Sequence, residues 1–218
     1  MVKFRNITLL LNKIVYRIRI IFGKTFCKSR QQKSCTILSN NCTSGIICHD
    51  LNWQFKSPTI NLFTSADDFI TMLENFPSSF QLEIKEVHET GINNPLGLIS
   101  LPNGESVKIN FLHYHTFTEA NEAWIKRSKR ISLDKLKVII VDNSDITQTD
   151  MERFLKLPFD KKMVVFNKNK YEFLGKEYAY LFETPDSKPI NILDFKNTII
   201  PLGNRIYRDK PIIKWILK

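Results

Sequence analysis

Three short stretches of the chain bring together residue types that suit acyl transfer. Ser39, Asn40, Asn41 and Cys42 stand just ahead of Gly45, His113 and His115 flank Tyr114, and Asp142 closes an apolar run at 136–141. A thiol or hydroxyl at a strand-to-helix turn gains from the amides of the helix N-terminus. These lower a cysteine pKa and can serve as oxyanion donors, while a nearby neutral histidine takes the proton. On this reading Cys42 is a nucleophile or an oxyanion-turn residue, Ser39 a competing nucleophile, His113 a general base, and Asn40 or Asn41 oxyanion donors. The plainer alternative is that Asn and Ser fill a turn, Cys42 packs as a small core residue and the His-x-His pair bonds to backbone. Cys42, Cys48, His49, His113 and His115 could ligate a metal. No acidic residue is spaced with them, however, and Cys-x5-Cys-His matches no usual zinc spacing, so no metal site is expected.

A second constellation lies at 119–130. Arg127 and Arg130 are three residues apart, on one face of an expected helix, with Trp124 one turn earlier. Two forked guanidiniums can grip a phosphate, such as that of coenzyme A, a nucleotide sugar or a lipid phosphate. The competing explanation is a solvated face on which Glu122 pairs with Lys126 and Trp124 anchors the helix. No G-x-G-x-x-G and no P-loop is present.

The elements that must position these residues read as alternating strands and helices. Apolar strands are expected at 35–39, 59–63, 136–141 and 163–166, and alternating strands at 81–87 and 106–111 around turns at 95–97 and 102–104. Helices are expected at 46–53, from a Ser65 cap to about residue 76, at 118–130 and at 147–155. Short buried pieces are expected at 199–201 and 211–217. Strands separated by helices predict an α/β fold: three layers, a largely parallel sheet flanked by helices, Rossmann-like. In such sheets ligands bind at the carboxyl ends of strands, where the residues named above fall.

The chain has 218 residues, sixteen of them Phe, and only seven Gly and nine Pro, which excludes fibrous and disordered classes. Its formal charge is +10, yet nine basic residues and no acid lie in residues 1–34, leaving 23 basic against 22 acidic residues in 35–218. A neutral body argues against nucleic acid as the partner. We therefore expect an arm at 1–34 and a single α/β domain at 35–218. In the arm Phe4, Ile7, Leu11, Ile14, Val15, Ile18 and Phe22 share one helical face, while Lys13, Arg17 and Arg19 interrupt any spanning run. This is the pattern of a basic amphipathic helix on an anionic membrane surface, or of a helix packed on the body or a partner. The four cysteines cluster in the first quarter of the chain without a C-x-x-C pair, which points to free thiols in a cytoplasmic protein. The arm would make it peripheral to the inner face of the membrane.

Ile37-Leu-Ser-Asn-Asn-Cys42 with Gly45, Ser57-Pro-Thr59 with Leu62-Phe63, His113-Tyr114, Glu119-Ala120, Trp124, Arg127, Arg130-Ile131 and Leu157-Pro158 follow one another in an order that resembles the bacterial family called domain of unknown function 1919. The resemblance marks Ser39, Asn40, Asn41, Cys42, His113, Glu119, Arg127 and Arg130 as that family's characteristic polar positions. It implies a role in exopolysaccharide or capsule biosynthesis. The combined expectation is transfer of an acyl group, most plausibly acetyl from a coenzyme A thioester, onto a glycan precursor or lipid-linked sugar. Arg127, Arg130, Glu119, His115 and Asp142 are then the substrate- or phosphate-binding set. The alternatives are a glycosyl- or phosphoryl-type transferase using the same grip, and a noncatalytic membrane-associated scaffold.

Overall fold

In a computed structural model of the chain, residues 35–50, 53–142, 145–167, 179–182 and 215–216 are described. The arm at 1–34 and the expected pieces at 199–201 and 211–217, apart from helical Trp215 and Ile216, lie outside these residues. By backbone contact the chain divides into two compact units, one of Cys35–Ile46 with Phe55–Ile192 and the other taking in Ile47–Gln54. Among the described residues no helix is long and apolar enough to cross a membrane.

The architecture is mixed α/β with two sheets. Strands β1 (Thr36–Ser39), β5 (Leu136–Val141), β6 (Lys162–Asn167) and β7 (Ala179–Phe182) form a parallel sheet in the order β1-β5-β6-β7. Strand β5 lies between two neighbours, which is why its apolar run is continuous rather than alternating: Val138, Ile139, Ile140 and Val141 are fully buried. Strands β2 (Ile84–Val87), β3 (Leu96–Ser100) and β4 (Ser106–Asn110) form a separate antiparallel sheet.

That second sheet corrects the expectation of one largely parallel sheet. The links between β2, β3 and β4 are short and turn at Gly91 and Gly104, whose φ angles of 86° and 88° favour glycine. A parallel pairing would need a crossover of about a dozen residues or more, so such links permit only hairpins. Leu96 and Gly97, expected in a turn, instead begin the central strand β3. Residues 59–63, expected as a strand, contribute only a single bridge between Phe63 and Asn110.

Four helices complete the described fold: α1 (Thr43–Asp50), α2 (Ala66–Glu74), α3 (Phe117–Ser128) and α4 (Gln148–Lys156). Their starts are fixed by side chains that accept the orphan amides of the first turn. Ser65 accepts from the Asp68 N–H, Thr116 from Glu119, and Thr147 forms a reciprocal capping box with Asp150. The core runs from the antiparallel sheet through α2 and α3 to the parallel sheet, taking in Phe69, Phe80, Phe111, Trp124, Val138, Ile140 and Phe154. Trp124 stacks on Phe80 with ring centroids 5.5 Å apart and meets Phe111 edge-on at 6.5 Å, so it anchors α3. Arg153 ties α4 to α2 through Glu74 at 2.7 Å, Asp67 and the Thr71 hydroxyl at 2.8 Å, with Asp150 at 3.7 Å on its own helix.

Gly97 is required by packing rather than by backbone conformation. A Cβ there would overlap Ile84 Cγ2 and lie 3.0 Å from Phe111 Cε2, both on buried side chains. Gly97→Ala is therefore expected to cost about 1–3 kcal/mol by overpacking, read as a lower urea midpoint with unchanged slope.

Candidate functional site

The turn from β1 to α1 carries Ser39, Asn40, Asn41 and Cys42, and each has a distinct local duty. Ser39 is fully buried; its hydroxyl donates to the Asn41 carbonyl at 2.7 Å and accepts from the Ser44 N–H at 3.0 Å. Asn40 is also fully buried, and its amide pairs with both backbone groups of Val141: Nδ2 donates to the carbonyl and Oδ1 accepts from the N–H, each at 2.9 Å. It thereby extends the β1–β5 pairing by one side chain and sits beside Asp142. The Asn40 carbonyl accepts from the Thr64 N–H at 2.9 Å. Asn41 Oδ1 caps α1 by accepting from the Thr43 N–H at 3.0 Å and from its hydroxyl at 2.5 Å. This cap starts α1 at Thr43, three residues ahead of the expected 46.

Cys42 is partly buried and its thiol points at the Leu62 carbonyl, 3.8 Å away. Burial pushes its pKa up from the ordinary thiol value. The sequence leads one to expect the helix N-terminus to lower it; the shift runs the other way, and burial is its cause. At pH 8 Cys42 accordingly holds less thiolate than a free cysteine. Its iodoacetamide alkylation, followed on the peptide by mass spectrometry, should run slower than that of glutathione and rise to its half-maximum above pH 9. An alkylation midpoint below pH 8 would contradict this.

The segment 55–63 lies across this turn as a strap. Thr59 Oγ1 accepts from the Ser39 N–H at 3.0 Å, the Ser44 hydroxyl donates to the Thr59 carbonyl at 2.9 Å, and Ser57 Oγ accepts from the Thr59 N–H at 3.1 Å. Asn61 adopts a left-handed φ of 65°, and a Cβ on Gly45 would come within 3.0 Å of Ile60 Cγ2. The strap can approach α1 closely only because Gly45 has no side chain.

The other side of the strap is held by α3 and the turn before it. Arg127 Nη1 donates to the Tyr114 hydroxyl at 2.6 Å and to the Ile60 carbonyl at 3.4 Å, and its Cζ lies 5.6 Å from the centre of the Phe55 ring. The Tyr114 hydroxyl also reaches the Ile60 carbonyl at 3.5 Å. Arg130 Nη1 donates to the Phe55 carbonyl at 3.2 Å. Both arginines are half-buried, and among the described residues neither meets a carboxylate within ion-pairing distance.

His113 and His115 are exposed in the turn between β4 and α3, on either side of Tyr114. No hydrogen bond among the described residues joins His113 to Ser39 or Cys42. Glu119 is exposed in the first turn of α3, where its N–H is taken by the Thr116 cap at 3.3 Å. Asp142 is buried at the end of β5, its N–H donated to the Val165 carbonyl at 2.8 Å. Among the described residues no three His, Cys, Asp or Glu side chains are grouped to hold a metal ion.

The structure thus joins the β1–α1 turn to Arg127 and Arg130 through Ile60 and the strap, and leaves the two histidines on the neighbouring turn. Sequence reasoning missed Phe55, Thr59 and Tyr114 as the strap's fastenings. Ser57-Pro-Thr59 was visible as a motif, but nothing local says that Thr59 bonds β1 or that Tyr114 bonds Arg127.

Comparison with known proteins agrees with this residue pattern. A family model described as Domain of unknown function (DUF1919) matches residues 13–217. The chain is also similar to an uncharacterized protein of Haemophilus influenzae, 30% identical over 212 residues, which cover 97% of each chain.

Proposed function

The chain belongs to the DUF1919 family, and from that premise we propose that it is a transferase of bacterial surface-polysaccharide synthesis, moving an acetyl group from coenzyme A to a glycan precursor. The observation that carries the reading is the pair of half-buried arginines that meet no carboxylate among the described residues, with Arg127 linked through Ile60 and the strap to the turn that follows β1. Parallel sheets flanked by helices offer their ligand sites at the carboxyl ends of strands, where that turn lies. Guanidiniums taken partly out of water without a counter-charge are costly unless a ligand supplies it, and the donor's phosphates would do so.

Direct transfer is favoured over an acyl-enzyme. The Ser39 hydroxyl is buried and committed in both directions, and burial pushes the Cys42 thiol pKa up, which disfavours the nucleophilic thiolate. In the direct reaction an acceptor hydroxyl attacks the thioester carbonyl, exposed His113 takes the hydroxyl proton, and the carbon–sulfur bond breaks with that proton passing to the sulfur, so that coenzyme A leaves as the thiol. The basic arm at 1–34 would hold the protein on the anionic inner face of the membrane, where lipid-linked sugars are displayed.

The test is release of coenzyme A thiol by the full-length protein, supplied with acetyl coenzyme A and lipid-linked glycan precursors. Release that requires both protein and acceptor is expected. Consumption of a nucleotide sugar with no thiol released would replace the reading with glycosyl transfer.

A further inference from the structure

We infer that Arg127 and Arg130, set by Tyr114 and Phe55, form a binding site for a pyrophosphate group. This rests on the reading of Arg127 and Arg130 as a phosphate grip and narrows it to two linked phosphates.

The chain contains its own comparison for what a structural arginine looks like. Arg153 is met by the carboxylates of Asp67, Glu74 and Asp150, and uses Nε, Nη1 and Nη2 to bind them and Thr71. Those carboxylates hold its proton more firmly than usual. Among the described residues Arg127 and Arg130 are bonded only to neutral acceptors, and each through Nη1 alone. Their Nε and Nη2 groups make no hydrogen bond among the described residues. That edge of a guanidinium is the one that forms two parallel bonds to a phosphate.

The two groups are also brought to one place. Phe55 serves both, with its ring against the Arg127 guanidinium at 5.6 Å and its carbonyl accepting from Arg130 at 3.2 Å. The helix ends at Ser128, two residues short of the expected 130, and Arg130 lies in the closing turn, where its N–H donates to the Arg127 carbonyl at 2.9 Å. Across one such turn Cβ atoms lie about 5–6 Å apart, a span suited to one fork on each of two neighbouring phosphates. Tyr114 and Phe55 are positioning residues: the 2.6 Å bond to the Tyr114 hydroxyl and the ring face leave Arg127 little rotamer freedom, so less is lost when a ligand binds. Two like charges in partial burial repel each other, and a polyanion relieves that repulsion where a single small anion leaves part of it.

Coenzyme A, nucleotide sugars and polyprenyl diphosphates all carry this group. The experiment is therefore calorimetric titration of the full-length protein with inorganic pyrophosphate and orthophosphate, followed by coenzyme A, a nucleoside diphosphate sugar and a polyprenyl diphosphate to identify the source. Pyrophosphate should bind at least about tenfold tighter than orthophosphate, because a second fork engages. Arg127→Gln and Arg130→Gln should each weaken it about tenfold or more, Arg127→Lys should restore only part, and Tyr114→Phe should weaken pyrophosphate but not alter the melting temperature by more than a few degrees. Lys126→Gln and Lys129→Gln, at exposed neighbours in the last turn of α3 and just after it, should change affinity less than about twofold.

Equal affinity for the two anions, or equal losses at Lys126 and Arg127, would overturn the inference. If the glutamine variants fail to fold, Arg130→Lys and Tyr114→Phe decide by the same affinity ratio. Pyrophosphate bound through these arginines with no acetyl transfer would uphold the site and remove the donor assigned above. Acetyl transfer with pyrophosphate affinity unchanged in the double variant would remove the pyrophosphate site alone.

Discussion

Asn40→Ala should destabilise the protein by about 3 kcal/mol, lowering its melting temperature by about 6–12 °C. The side chain is fully buried and holds the N–H and carbonyl of Val141 at 2.9 Å each, at the point where β1 gives way to the turn. Alanine removes two buried hydrogen bonds and leaves a void, and water reaches a site this enclosed only if the strands part. Asn40→Asp should be no better, because a carboxylate oxygen would replace the amide donor that faces the Val141 carbonyl. Asn41→Ala is the matched control: it removes the cap of α1, a loss of about 1 kcal/mol. Equal melting temperatures for Asn40→Ala and Asn41→Ala would show that the pairing with Val141 does not hold the sheet edge.

His113→Ala should lower acetyl transfer by about 10²–10⁴-fold in kcat while leaving the melting temperature and the affinity for coenzyme A nearly unchanged. The imidazole is exposed, next in sequence to Tyr114, which bonds Arg127, and it is not part of the core. An exposed side chain that packs against little can be removed at small cost in stability. His115→Ala, two residues on and also exposed, should have a much smaller effect. Full activity in His113→Ala would reassign the base.

How far the sequence disclosed this arrangement depends on whether the deciding interaction is local. The buried strand at 136–141 is read to the residue, because a continuous β-branched run has few other homes. Ser65 and Thr147 announce their helices because a cap and its target lie within three residues. The antiparallel sheet was misjudged where Pro95 and Gly97 carry the signature of a turn; Gly97 is present instead to admit Ile84 and Phe111, and that packing has no signal in a single sequence. Residues 59–63 look like a strand by composition, yet bonds from the Ser39 N–H and from the Ser44, Tyr114 and Arg127 side chains hold them, partners from far along the chain.

The candidate site was legible in a similar way. The spacing of Arg127 and Arg130 suggests a phosphate grip, while the absence of carboxylate partners for them among the described residues, in contrast to Arg153, is visible only in the fold. Cys42 shows the opposite case. Its place at a helix start suggested an activated thiol, but the strap that covers it raises its pKa, and the strap is fastened from Tyr114 and α3.

The central claim, that the paired arginines hold the phosphates of an acetyl donor, is tested most directly by the melting temperature of the full-length protein with and without acetyl coenzyme A. At about 100 times the dissociation constant the ligand should add about 2.7 kcal/mol, a rise of about 5–10 °C. That rise should vanish in the Arg127→Gln, Arg130→Gln double variant. No rise in the unaltered protein, or an equal rise in the double variant, would contradict the account.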